Sequence, residues 1–82
     1  MNSLERCILE AIDLRGCGAG YLEIHCHIWK QGLALEKTVG DIVPEVWRLR
    51  EAGFVKPSRK DRSGSWNGKW TLTNAGKAQL RS

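Results

Sequence analysis

The chain is 82 residues long, one small domain (1–82) that buries on folding only about 60–65% of the surface its unfolded form exposes, so the core is modest. Its 41% hydrophobic content is that of a globular protein and argues against disorder, and no apolar run approaches the roughly 20 residues that cross a bilayer. The net charge of +4 is confined: residues 56–70, KPSRKDRSGSWNGKW, hold Lys56, Arg59, Lys60, Arg62 and Lys69 against the single acid Asp61, while the other 67 residues hold eight charges of each sign. Such a local surplus is the footprint of a site for a polyanion, most often nucleic acid, or of a loop kept soluble by its charge. The N-terminal stretch carries acids where a secretory signal would carry a basic start and an apolar run. The expectation is a cytoplasmic protein with no membrane partner.

The first helix begins near Asn2, which with Glu5 forms a capping-box pattern. Leu4, Ile8, Ala11 and Ile12 recur at helical spacing, flanked by Cys7 and Leu14, and Gly16 stops the helix. The loop GCGAG at 16–20 could cradle phosphate only with a strand before it and a Lys-Ser/Thr pair after it; it has neither.

The next segment, YLEIHCHIWKQG, admits two readings. Leu22, Ile24, Cys26 and Ile28 alternate with polar residues as in a strand. Leu22, Cys26 and Trp29, with Tyr21, Ile24 and Ile28 beside them, also fit a well-buried helix. A helix running to Gln31 is preferred, because the following segment needs one before it. Residues 33–37 continue that helix or turn the chain. Cys7 and Cys26 read as small core residues, and the three cysteines as reduced thiols.

Ile42, Val46 and Leu49 set the core stripe of a third helix that ends at Gly53. Thr38 with Asp41 has capping-box spacing but would enclose Pro44 in the helix, removing one hydrogen bond. Asp41 as the cap puts Pro44 in the first turn, where a missing N–H costs nothing, and is the expected start. Phe54-Val55-Lys56 then reads as a strand ended by Pro57. Residues 69–73, KWTLT, read as its partner, with Trp70 and Leu72 on one face. Thr73 or Asn74 caps a short last helix.

The run LREAGFVKPSRKDRSGSWNGKWTLTNAGK resembles the second half of winged helix-turn-helix DNA-binding domains, especially those of the multiple-antibiotic-resistance-repressor type. The resemblance covers about residues 38–78. It rests on Leu49, Gly53, Phe54 and Val55 at a helix end, a basic wing, and Leu72, Thr73 and Gly76 after the wing. It implies an α+β, mainly α fold with a three-helix core, a helix-turn-helix at about 21–52, a wing hairpin at 54–73 and a short C-terminal helix. It further implies a transcription-regulator-like partner for double-stranded DNA. The wing residues Lys56, Arg59, Lys60, Arg62 and Lys69 would hold phosphates, while Lys37, Thr38, Asp41, Glu45 and Arg48 would lie along the recognition helix. Two of those five are acids, which repel phosphate, although a carboxylate can accept from a cytosine amino group.

Trp70 is expected in the core. Trp66 depends on the hairpin turn: a turn at Asn67-Gly68 exposes it to a sugar, a base or a protein, whereas a turn at Arg62–Gly64 packs it against the body. The competing reading is a protein-interaction module, an adaptor or inhibitor of a nucleic-acid-processing complex, using Trp66, Trp47 or the third helix. The first helix with Trp29, Leu33 and Leu35 is the candidate homodimer surface. Cys17, His25, Cys26 and His27 lack the paired spacing of zinc ligands, and a Cys–His nucleophile pair here lacks an orienting group. No metal, cofactor or enzymatic activity is expected.

Overall fold

The computed structural model describes residues 3–15, 18–33, 37–58 and 68–81. In chain order they form α1 (Ser3–Arg15), α2 (Tyr21–Lys30), α3 (Val39–Glu51), β1 (Val55–Pro57), β2 (Trp70–Leu72) and α4 (Asn74–Arg81). This is the winged-helix layout: three helices, an antiparallel two-stranded hairpin and a short last helix. Helix α1 is central, touching α2, α3, α4 and β2. It buries Cys7, Ile8, Leu9, Ala11 and Ile12. Burial, and secondarily the Glu10 carboxylate, push the Cys7 thiol pKa up, so Cys7 stays a neutral packing group. Arg6 reaches the far end of the chain, where its guanidinium donates to the carbonyls of Gln79 and Leu80 and satisfies acceptors in the last turn of α4.

The ends of α2 and α3 share one device. After α2, Gly32 takes φ 75°, its N–H donates to the Trp29 carbonyl, and the Leu33 N–H donates to the Ile28 carbonyl. After α3, Gly53 takes φ 86°, with Gly53 N–H on the Arg50 carbonyl and Phe54 N–H on the Leu49 carbonyl. These are Schellman ends, in which a left-handed glycine lets the next apolar residue fold back onto the helix. Both Leu33 and Phe54 pack against the core as a result.

Three expectations need correction. Helix α2 forms, but it ends at Lys30 with Gln31 as its cap, and its buried residues are Ile24 and Ile28. Leu22, Cys26 and Trp29 lie on the opposite, exposed face, so Cys26 is not a core residue. Both faces of this helix are apolar, and packing against α1 and α3 decides which is buried. Helix α3 starts at Val39 with Thr38 as its cap, not at Asp41. The Thr38 N–H donates to Asp41 Oδ2 at 2.9 Å, completing the capping box. Pro44 therefore lies inside the helix. The hydrogen bond it cannot donate would have gone to the carbonyl of Gly40, an exposed residue, so water can take its place at little cost. Strand β1 is shifted by one residue, running through Pro57 and leaving Phe54 outside; Pro57 is tolerated because β1 is an edge strand. Asn2, Gly16 and Leu35 lie outside the described residues.

The hairpin pairs Val55 with Leu72, Lys56 with Thr71 and Pro57 with Trp70. Val55, Trp70 and Leu72 face inward and are buried. Ala19, between α1 and α2, bridges β2 on the side away from β1: its N–H and carbonyl exchange bonds with Trp70 at 2.9 and 2.8 Å. The Leu72-Thr73-x-x-Gly76 sequence joins hairpin to α4. Thr73 Oγ1 donates to the Gly53 carbonyl at 2.6 Å and accepts the Gly76 N–H at 3.1 Å. Gly76 is buried, and a Cβ there would fall on the Phe54 carbonyl oxygen.

Candidate nucleic-acid interface

The α3 face opposite its buried Ile42, Val46 and Leu49 is formed by Gly40, Asp41, Pro44, Trp47, Arg48 and Glu51, all exposed. Its N-terminal end is fixed in place. His25 on α2 donates from Nε2 to the Lys37 carbonyl at 2.8 Å, which tethers the chain just before the Thr38 cap. Lys37 is half-buried and Thr38 exposed. The Asp41 carboxyl is held below the ordinary carboxylate range, first by the Thr38 backbone N–H, then by the Thr38 hydroxyl and the Lys37 charge. Asp41 is therefore an anion at neutral pH, placed where the positive end of the helix dipole favours one.

Further along, Arg48 Nη1 lies 3.3 Å from Glu45 Oε2. The Arg48 side chain is 66% exposed and Glu45 17%, so the arginine faces outward with an acid at its base. The structure thus joins four of the sequence-expected residues into two local pairs, Thr38–Asp41 and Glu45–Arg48. Each pair spends its charge or hydrogen bonds within α3.

The hairpin contributes Lys56 and Lys69, both exposed. Lys56 opposes Thr71 in the ladder, and Ser58 N–H donates to the Lys69 carbonyl at 2.9 Å. By the two-residue period of a strand, Lys56 and Lys69 share the outer face of the hairpin, opposite Val55 and Trp70. Arg59, Lys60, Arg62 and Trp66, with both alternative turn positions, lie outside the described residues.

One group was missed by sequence reasoning. Trp47 stands edge-on to Trp70, ring centroids 5.2 Å apart, and its Nε1 donates to Tyr21 Oη at 3.0 Å. Tyr21 also meets Trp70 at 6.3 Å, and the Arg50 guanidinium lies 5.0 Å over the Trp47 ring. Helix α3 is therefore clamped to the root of the hairpin, next to Lys69, with Arg50 adding a cation beside the contact. The i, i+3 spacing of Trp47 and Arg50 was a visible signal, but the Trp70 contact joins residues distant in sequence. Trp47 remains 39% exposed.

Among the described residues, no three His, Cys, Asp or Glu side chains gather as metal ligands, and no helix is long and apolar enough to cross a membrane. No family model matches this chain, and no curated protein or solved structure matches it.

Proposed function

We propose that this chain is a small double-stranded-DNA-binding protein of the transcription-regulator kind, akin to the winged-helix repressors it resembles. The observation that carries the reading is the clamp of Trp47 on Trp70. It holds the outward face of α3 beside the hairpin, and residues 56–70, which run from β1 into β2, carry all of the chain's net charge. Lys56, Arg59, Lys60, Arg62 and Lys69 hold phosphates. Thr38, Arg48 and the α3 N-terminus lie against the duplex, with Lys37 behind them. Asp41 and Glu45 work against the phosphate field, so binding depends on the wing, and base reading is sparse.

The same two acids, with the part-exposed Trp47, favour the second reading, docking on a basic protein partner within a nucleic-acid-processing complex. One double substitution separates the two. Asp41→Asn with Glu45→Gln keeps hydrogen-bonding groups in place and frees Arg48 from its ion pair. On DNA, affinity for a random duplex at fixed moderate salt rises several-fold. On a basic protein partner the change removes charge complementarity and slows association. Failure of both forms to bind duplex DNA even at low salt overturns the DNA reading.

A further inference from the structure

Helix α2 carries a second apolar stripe that the fold does not use. Leu22, Cys26 and Trp29 stand at i, i+4 and i+7, one continuous line along the helix. They point away from the core made by Ile24 and Ile28. Leu22 is 69% and Trp29 59% exposed, and the Cys26 thiol is exposed between them. A shallow groove lined by Leu14, Arg15, Glu23, Cys26 and Lys30 extends the patch onto α1, where Leu14 is 74% exposed. Single exposed apolar residues are ordinary; a contiguous stripe of this kind marks a contact surface.

The charges beside the stripe indicate what covers it. Glu23 and Lys30 are seven residues apart and lie on the same flank of the stripe. Neither forms an ion pair among the described residues, and two helical turns separate them. When a helix is set against an antiparallel copy of itself, residues on one flank meet the same flank of the copy. A two-fold axis close to Cys26 then sets Glu23 against Lys30 of the second copy, and Lys30 against Glu23, one on each side of the axis. The same operation lays Leu22 against Trp29. One two-fold operation thus pairs apolar with apolar and acid with base along the stripe, which is what an isologous interface requires.

We propose that the chain forms a two-fold homodimer through antiparallel packing of the outer face of α2, with Cys26 near the axis. The surface is distinct from the α3 face and from the hairpin, so the proposal stands whether or not DNA is the ligand. Helix α2 is only 10 residues long, so the interface is small and the dimer weak, with a dissociation constant on the order of micromolar or above.

The test uses the full chain. Sedimentation equilibrium from micromolar to submillimolar protein is expected to show a reversible monomer–dimer equilibrium. Trp29→Glu, at an exposed site, leaves circular dichroism unchanged and weakens dimerisation about tenfold or more, because it sets an unpaired charge in the apolar stripe. Glu23→Lys and Lys30→Glu each weaken the dimer, and the combined swap restores it. In a Cys17→Ser background a short bis-maleimide links two chains, and Cys26→Ser abolishes the link; Cys7 is buried. A chain that stays monomeric throughout, a dimer indifferent to Trp29→Glu, or a charge swap that fails to restore association would overturn the proposal.

Discussion

Replacing Gly76 by alanine sets two well-defined effects against each other. Gly76 is the third residue of α4, and its φ is not among the positive values found at Gly18, Gly32, Gly53 and Gly68. On helix propensity, alanine gains up to about 1 kcal/mol. The structure opposes this. The added Cβ would fall on the Phe54 carbonyl oxygen and lie 3.1 Å from the Phe54 carbonyl carbon and 3.3 Å from Leu72 Cδ2. Two of these three neighbours are backbone, and the Phe54 carbonyl already accepts the Thr73 N–H at 3.1 Å. It cannot withdraw without loosening the joint between hairpin and α4. Overpacking of this kind costs about 1–3 kcal/mol, with more where the backbone must move. The net expectation is a loss of about 1–2 kcal/mol, or a melting-temperature drop of about 5–15 °C in a domain this small. Urea titration and thermal circular dichroism measure it. A Gly76→Ala protein as stable as the parent, or more so, would refute the packing of α4 on the hairpin.

The other stability tests address the core and the cap of α3. Trp70 is fully buried, and Trp70→Ala is expected to cost about 3–5 kcal/mol, a large part of the roughly 4–12 kcal/mol that a domain of this length commands; circular dichroism and urea midpoints check it. Asp41 has a lowered folded-state pKa because it accepts from Thr38, so its stabilising contribution is full above the unfolded-state pKa and is lost as pH falls through the folded one. Urea midpoints of the parent and Asp41→Asn should therefore differ most near neutral pH and converge in strong acid. A constant difference at every pH would deny Asp41 that role.

The fold was legible where one local feature dominates. Ile42, Val46 and Leu49 fix the buried face of α3, Gly53 its end, and Trp70 with Leu72 the inner face of β2. Helix α2 was half-legible, since Tyr21, Ile24 and Ile28 make one apolar stripe and Leu22, Cys26 and Trp29 another. Only the positions of α1 and α3 decide between them. The α3 start turned on a balance that the sequence leaves open. A capping box and an extra turn outweigh one hydrogen bond lost at Pro44, because that bond's acceptor is the carbonyl of exposed Gly40. At the candidate interface, the residue types of Thr38, Asp41, Glu45 and Arg48 were readable, but their pairing with one another was not. The Tyr21–Trp47–Trp70 cluster and the Ala19 bridge depend on contacts between distant parts of the chain, which no local spacing encodes.

The central claim, that the basic wing holds duplex DNA, is tested most directly by the salt dependence of binding to a random duplex. Each phosphate contact made by Lys or Arg contributes a log–log slope of about −0.9. Lys56, Arg59, Lys60, Arg62 and Lys69 together predict a slope of about −4 to −5 per chain. Arg59→Ala with Arg62→Ala should flatten it by about two contacts while leaving the melting temperature unchanged. An unchanged slope in that double variant, or no binding by the parent at low salt, would contradict the account.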